Sequence, residues 1–320
     1  MIRPRLARSV WALALLASAS CSSARPPEIG EGPCSNGTDD DGDMLVDCDD
    51  PACQLFAWCA GSPDASATDA SAPDASGLDA GDVGPVACRE PLDLVLTLDV
   101  SSSMAEDVAR LRDLSPAIFA AARTDSTDAR VSLVVFVDDA LAVEDCAPFD
   151  TSEALAAELD QWRAFTTQNR SPASAIPNVD CVENSLDAIA TAITGCPRRA
   201  GGTHVVLHVT DDTFAERPTV LSGPFGPGVL VASTYVEVAD ALVREDVTFV
   251  ALTANGAGAA CGGATISPDV GRGFHTPFGT ELSLPERTGG EAWDLRAARG
   301  GTLDVAASLE TLLDRLACRP

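Results

Sequence analysis

The run LDLVLTL at residues 92–98 leads directly into DVSSS. The apolar run predicts a buried strand, and the residues after it predict a helix at 105–122. Asp99, Ser101 and Ser103 therefore bring one carboxylate and two hydroxyls to a single turn, at the sheet edge where open α/β sheets bind ligands. Magnesium, manganese and calcium ions prefer such oxygen donors. A helix N-cap is the plainer interpretation of the same short string.

Strands and helices alternate from this first strand to the end of the chain. Further strands are predicted by apolar runs at 131–137, 141–145 as its hairpin partner, 205–209, 247–252 and 292–295. Further helices are predicted by apolar residues at helical spacing, in Leu155-Leu159-Trp162, Leu186-Ile189-Ile193, Val238-Leu242 and Val305-Leu309-Leu312-Leu313-Leu316. Pro116 is expected to kink or end the first helix, and Thr234 with Glu237 forms a capping box. This order predicts an α/β fold with a doubly wound, mostly parallel sheet.

The 320-residue chain has a formal net charge of −27, from 48 acidic and 21 basic residues. A chain this acidic repels nucleic acid and anionic membrane surfaces, so no nucleic-acid partner is expected. Its charge suits a protein that binds cations. All 21 of the basic residues are arginine. The lysine of a phosphate-binding loop is therefore missing, and no nucleotide partner is expected.

The first residues resemble a bacterial lipoprotein signal. Three arginines precede an apolar segment, and small residues then lead to Cys21. This order predicts a signal peptide at residues 1–20, with an apolar part too short to span a bilayer. The resemblance implies a lipid on the Cys21 thiol and hence a membrane anchor. Ser18 stands where lipoproteins usually have leucine, which leaves ordinary cleavage after Ala19 as the alternative.

A small module at 34–59 is rich in cysteine and aspartate, and it follows a tether at 21–33. Its alternate carboxylates match positions 1, 3, 5 and 9 of a loop like that of an EF-hand; they are Asp39, Asp41, Asp43 and Asp47. The module resembles the calcium repeats of secreted proteins, such as thrombospondin type 3 repeats, which implies a bound Ca²⁺. A disulfide-stapled acidic knot without an ion is the alternative. Residues 60–87 are almost all Ala, Asp, Ser, Pro and Gly, which predicts a disordered linker.

The remaining residues, 88–320, resemble a von Willebrand factor A domain. The resemblance rests on the alternating elements, the D-x-S-x-S string, Thr210-Asp211 after a buried strand, and Thr288-Gly289-Gly290 before the last short strand. It implies a Rossmann-like fold with a metal-ion-dependent adhesion site for Mg²⁺, Mn²⁺ or Ca²⁺. The two serines of the string would ligate the ion directly, and Asp99 and Asp211 would bind it through waters.

The loop before the third helix is similar to the corresponding loop of integrin β I-like domains. It contains Asn178, Asp180 and Glu183. The resemblance implies that Glu183 is a further ligand of the central ion, and that Asn178 and Asp180 hold a neighbouring cation. Glu106 and Asp107 match the acidic pair that holds a third ion in those domains. Their alternative role is to favour the N-terminus of a helix.

Eleven cysteines argue for an oxidising compartment, and the number is even without Cys21. The four cysteines of the small module are expected to pair among themselves. Cys88 and Cys318 bracket the large domain and are expected to pair, because this fold brings its termini together. The pairing of the other four stays open; they are Cys146, Cys181, Cys196 and Cys261.

Together these features predict an exported lipoprotein of the cell envelope, facing the periplasm or the cell surface, that binds a protein partner through a divalent cation. An acidic residue of the partner would complete the metal shell. The alternatives are a structural or assembly scaffold whose metal site meets no ligand and, less favoured, a metal-dependent hydrolase. No enzyme is expected, because the chain has no G-x-S-x-G or H-E-x-x-H motif. His204 and His208 share one face of a buried strand and are expected in core roles.

Overall fold

The structure is a computed structural model that describes residues 91–317, except 125, 127, 180–181, 224–226 and 258–268. These residues all belong to the second of the two units into which the chain divides, residues 82–320. Several predicted features lie outside the described residues and stay predictions: the signal peptide, Cys21, the calcium loop of Asp39, Asp41, Asp43 and Asp47, the linker, Asp180, and the Cys88–Cys318 disulfide.

The described part of the chain contains ten strands and seven α-helices. The strands are β1 (Leu92–Asp99), β2 (Ala129–Phe136), β3 (Ala140–Ala142), β4 (Val182–Glu183), β5 (Thr203–Thr210), β6 (Thr213–Phe214), β7 (Val220–Leu221), β8 (Val229–Leu230), β9 (Val247–Thr253) and β10 (Ala292–Asp294). The helices are α1 (Ala105–Thr124), α2 (Ser152–Thr166), α3 (Ser185–Gly195), α4 (Tyr235–Arg244), α5 (Leu284–Thr288), α6 (Leu295–Arg299) and α7 (Val305–Ala317).

The main sheet has six strands in the order β10-β9-β5-β1-β2-β3. Every neighbouring pair is parallel except β2 and β3, which are antiparallel. β1 lies inside the sheet, and its Leu96 is in register with Leu133 of β2 and Leu207 of β5. The chain leaves β1 toward β2 on one side and reaches β5 on the other. This makes the carboxyl end of β1 a topological switch point, where such sheets bind ligands.

Helices cover both faces of this sheet. Leu94, Leu96 and Leu98 of β1 contribute to the core beneath α1, α2 and α7, whereas Val95 contributes to the core beneath α3 and α4. All eight residues of β1 are buried, as expected for a parallel strand with helices on both sides. The predicted doubly wound, mostly parallel sheet is therefore confirmed.

The first helix continues past its proline. α1 runs from Ala105 through Pro116 to Thr124, close to the predicted 105–122, so of the two expected effects of Pro116, a kink or an end, the end is wrong. Pro116 itself is exposed. Leu111, Ile118 and Phe119 on either side of it are buried in the core, and their packing outweighs the one backbone hydrogen bond that a proline removes.

The predicted hairpin partner of β2 is shorter than expected. β3 ends at Ala142, and a 3-10 turn follows at Val143–Cys146, where Glu144 and Asp145 have positive φ angles of 48° and 54°. Cys146 is bonded to Cys196, just after α3 and 50 residues away. This settles one of the open cysteine pairings, and it fastens the edge of the sheet to the end of a covering helix.

Thr288-Gly289-Gly290 sets the position of the last strand. Gly289 ends α5 with a φ of 68°, and the Thr288 hydroxyl oxygen accepts the Phe249 N–H of β9 at 3.0 Å. A Cβ atom on Gly290 would lie 1.9 Å from the Phe249 carbonyl oxygen, so a side chain here would force the strands apart. These contacts place β10, and the helix α6 that follows it, beside β9.

Among the described helices, none has the length and apolar character needed to cross a membrane.

Candidate metal centre

The carboxylate of Asp99, at the end of β1, organises the turn into α1. Asp99 is fully buried. Its Oδ1 accepts the backbone N–H of Ser101 at 2.7 Å, and its Oδ2 accepts the hydroxyl of Thr210 at 2.7 Å. The hydroxyl oxygens of Ser101 and Ser103 lie 3.1 Å apart. The strand-to-helix turn therefore gathers the oxygens of the D-x-S-x-S string in one place.

A second segment reaches the same place from the end of β5. The Ser103 hydroxyl donates to Oδ1 of Asp211 at 2.8 Å. Thr210 Oγ1, which donates to Asp99, also accepts the N–H of Asp212 at 3.1 Å, so one threonine links the two loops. Asp99, Asp211 and Asp212 each offer a carboxylate oxygen, and these oxygens all lie within 4.8 Å of one another.

Glu183 comes from a third segment through a short strand pairing. β4 pairs in parallel with β6, which places Glu183 opposite Phe214, close behind Asp212 along the chain. Only 1% of Glu183 is exposed. Its Oε1 accepts the side-chain amide of Asn178 at 2.9 Å, while its Oε2 has no hydrogen-bond partner in the described part of the chain. A buried carboxylate oxygen in this state is costly unless a cation or water satisfies it.

Asp138, a carboxylate that the sequence pattern did not single out, lies near Glu183. It follows β2 and is fully buried. Its Oδ2 accepts the Ser222 hydroxyl at 2.6 Å, and its backbone carbonyl accepts the Asn184 side-chain amide at 2.8 Å. The loop after β7, which carries Ser222, and the segment of Glu183 and Asn184 are therefore joined to the end of β2, within the main sheet.

The acidic pair at the start of α1 is divided by the fold. Glu106 is exposed, whereas Asp107 is 2% exposed and receives the guanidinium of Arg299. The same guanidinium donates to Oδ2 of Asp211 at 2.7 Å. Asp107 is therefore connected to the metal-ligand candidates through an arginine, which no feature of the sequence predicted.

Burial and mutual repulsion govern the charges of this cluster. Desolvation, and then the neighbouring Asp211, raise the pKa of Asp99 to about 8. The same two causes raise the pKa of Asp212 to about 7. Desolvation, followed by the charge of Asp99, holds the pKa of Glu183 well above its usual value. Burial and nearby negative charge therefore disfavour the ionised form of all three carboxyl groups.

These donors fit a hard divalent cation. The groups that converge are carboxylates and hydroxyls, which are the ligands Mg²⁺, Mn²⁺ and Ca²⁺ prefer. Oε2 of Glu183 is a buried acceptor with no partner among the described residues. A divalent ion would supply the missing positive charge and return the raised carboxyl pKa values toward their ordinary range.

The histidines stand apart from this cluster. His208 is buried, its Nδ1 lies 2.8 Å from the Thr97 hydroxyl oxygen, and its ring stacks on Phe136. Desolvation lowers the pKa of His208 to about 3, so it stays neutral. Nδ1 of His204 lies 3.5 Å from a carboxylate oxygen of Asp93, at the other end of β1. Both histidines of β5 therefore make structural contacts away from the candidate metal ligands.

Comparisons with known proteins add little to this picture. No family model matches the chain, and no curated protein matches it either. Among solved structures, an aerotolerance-related membrane protein from Bacteroides fragilis, with multiple mutations to serines, is 14% identical over 71% of this chain and 98% of its own, with a TM-score of 0.40.

Two other solved structures have comparable scores. The conserved hypothetical protein BatB from Bacteroides thetaiotaomicron is 14% identical over 71% of this chain and 100% of its own, with a TM-score of 0.39. Proximal thread matrix protein 1 from the mussel byssus is 13% identical over 70% of this chain and 47% of its own, with a TM-score of 0.41. At these scores the functions of the neighbours carry no argument for this chain.

The raised pKa of Asp99 predicts a specific dependence of stability on pH in metal-free protein. Because the folded-state pKa is about 8 and the unfolded value is the ordinary one, Asp99 destabilises the fold progressively as pH rises from about 4 to about 8. Asp99→Asn removes this titration. Its amide oxygen can still accept the Ser101 N–H, and its amide nitrogen can donate to Thr210 Oγ1, which reverses the direction of that hydrogen bond. We expect the variant to melt like wild type near pH 4.5 and several degrees higher near pH 9.

Thermal melts in chelator across this pH range test the prediction. Asp314→Asn, on the exposed side of α7, is the matched control and should track wild type throughout. Parallel curves for wild type and Asp99→Asn at all pH values would show that the Asp99 carboxyl is not held in a repulsive, poorly hydrated site.

Proposed function

We propose that this chain is an exported protein, anchored in the cell envelope through a lipid on Cys21, whose large domain is of the von Willebrand factor A type. That domain binds a protein partner through a divalent cation held at the C-terminal edge of its sheet. One observation carries the proposal above the others. Oxygen donors from two segments that are distant in sequence converge at the carboxyl ends of β1 and β5, and the buried carboxyl of Glu183, from a third segment, lies near enough for the charge of Asp99 to help raise its pKa.

In this proposal the chain's own residues divide the work. Ser101 and Ser103 ligate the ion through their hydroxyls, while Asp99 and Asp211 orient waters around it and balance its charge. Glu183 contributes from the β4–β6 pairing. Supporting observations are the 2.8 Å bond from Ser103 to Asp211 and the 3.1 Å separation of the two serine oxygens. A position left open toward solvent would accept a carboxylate of the partner.

A second ion beside the first is part of the same proposal. Asn178 and Asp180 were implied by resemblance, and Asp138 joins them as a buried carboxylate near Glu183. Oδ1 of Asn178 is buried and has no hydrogen-bond partner among the described residues. An ion here would bring the loop of Asn178 into a fixed position beside the central site.

The rim of the site supplies apolar contact surface for the partner. β7 and β8 form a hairpin in which Val220 lies opposite Leu230, so both side chains project from the same face. Val220 is 49% exposed and Leu230 is 60% exposed. Val179 is 43% exposed. Its backbone N–H donates a hydrogen bond to Ser222 Oγ, which places it beside the hairpin. The partner segment should therefore present an acidic residue next to apolar side chains.

Substitutions at three adjacent serines test whether the proposed centre binds a metal ion. Ser101→Ala combined with Ser103→Ala removes both proposed hydroxyl ligands, and we expect Mn²⁺ affinity to fall by at least about 10–100-fold. Ser102→Ala is the matched control, because Ser102 lies between the two and is exposed. Isothermal titration calorimetry on chelator-treated protein measures the affinity.

Removal of the metal should also lower stability. An ion at about 100 times its Kd stabilises the folded state by about 2.7 kcal/mol. That gain should disappear in the double serine variant and persist in Ser102→Ala. Equal Mn²⁺ affinity in wild type and the double variant would contradict the proposal that these two serines bind the ion.

The partner half is tested by selecting peptides from a random display library with Mg²⁺ present and eluting them with chelator. Enrichment of an acidic residue flanked by apolar ones is expected. Leu230→Ser should weaken a selected peptide by about tenfold without changing Mn²⁺ affinity. Val243→Ser is the control, since Val243 is 52% exposed at the end of α4, just before β9 begins at the opposite sheet edge. Peptides that bind equally in chelator would instead favour a scaffold without metal-dependent recognition.

A further inference from the structure

Arg299 lies where the resemblance implied a metal ion. Its Nε donates to Oδ1 of Asp107 at 2.9 Å and to Oδ2 at 3.1 Å, and its Nη2 donates to Oδ2 of Asp107 at 2.5 Å. The same Nη2 donates to Oδ2 of Asp211 at 2.7 Å. One guanidinium therefore bridges the carboxylate at the start of α1 and a carboxylate of the candidate metal centre.

The pairing is largely shielded from water on its acidic side. The side chain of Asp107 is 3% exposed and that of Asp211 is 14% exposed, while the arginine is 32% exposed. Hydrogen bonds from charged groups to partly buried carboxylates are shorter and stronger than neutral ones. The hydrogen bonds with Asp107 raise the pKa of Arg299 above its already high value, so the guanidinium is charged at every physiological pH.

The fold builds this contact from several elements. Thr288-Gly289-Gly290 places β10, and Asp294 caps α6, which ends at Arg299. Arg110, one turn along α1 from Asp107, donates to the Ala298 carbonyl at 3.2 Å, which ties the same two helices a second time. The position of Arg299 beside Asp107 is therefore set by the backbone, because Arg299 is the last residue of a short helix that follows a strand of the sheet.

We infer that Arg299 is the fixed cation of this site, standing in place of the third metal ion that the resemblance implies for Glu106 and Asp107. The residues do not fit that ion: Asp107 is engaged by the guanidinium, and Glu106 points to solvent as an exposed residue. Unlike a metal ion, a guanidinium does not exchange with the medium. The third position therefore does not respond to cation concentration.

The arginine also positions a residue of the proposed centre. With Oδ2 of Asp211 bound to Arg299, its Oδ1 is held toward the hydroxyl of Ser103. A carboxylate fixed at both oxygens is suited to orienting a water on the central ion. This role rests on the proposed function, because it presumes an ion at the two serines.

The test counts ions that remain tightly bound to the whole chain, by native mass spectrometry after Mn²⁺ loading and desalting. Arg299→Gln should bind one ion more than wild type, because Asp107 becomes available together with Glu106. Arg296→Gln, on the same helix with its guanidinium on backbone carbonyls, is the matched control and should leave the count unchanged. Asp107→Asn alone should have the same ion count as wild type. Added to Arg299→Gln, it should remove the additional ion.

Two results would overturn the inference: loss of one ion in Asp107→Asn while Arg299 is intact, or equal ion counts in folded Arg299→Gln with and without Asp107→Asn. If Arg299→Gln does not fold, the Asp107→Asn arm still decides whether an ion sits at this carboxylate in wild type. The double serine variant separates this inference from the proposed function. Its ion count falls by one if the central ion exists, whatever the outcome at Arg299.

Discussion

Repulsion among carboxylates in a poorly hydrated space is the constraint on which this site depends. Asp99, Asp212 and Glu183 all have raised pKa values, and desolvation is the first cause in each case. A fold that buries acidic groups together needs protons or cations to balance them. Arg299 provides one positive charge beside Asp211, and in the proposed centre a divalent ion bound by the serine hydroxyls would provide the rest.

The architecture explains why these groups meet. β1 lies at the switch point of a parallel sheet, so its end and the end of β5 open onto the same crevice. The β4–β6 pairing is only two residues long on each side, yet it brings Glu183 from a different loop to Asp212. Asp138 and Ser222 then connect that loop and the β7–β8 hairpin to the end of β2. The site is therefore connected to the main sheet through several segments.

Much of this could be predicted from the sequence because periodicity and turn chemistry are local. The buried run of β1 and the Thr234–Glu237 capping box each have a signal within a few residues, and each is present. Pro116 shows the limit of such reasoning, since the packing of distant residues kept α1 intact through a helix-breaking residue. The pairing of Ser103 with Asp211 was implied by the resemblance to von Willebrand factor A domains, and the two residues do lie in contact.

The remaining features are products of tertiary contact. Asp212 and Asp138 each belong to an Asp-Asp pair after a strand, a signal that was present but did not show which carboxylate turns inward. Arg299 has no sequence signal, because its partners lie 88 and 192 residues away and meet it only through the placement of α6. The Cys146–Cys196 bond likewise depends on how the sheet edge meets the end of α3.

The most direct test of the central claim is an anomalous difference map from a crystal of the protein grown with Mn²⁺. The account predicts a strong peak at bonding distance, about 2.1 Å for a hard octahedral ion, from the hydroxyl oxygens of both Ser101 and Ser103. Strong Mn²⁺ peaks elsewhere in the map, with no peak at these two serines, would contradict it.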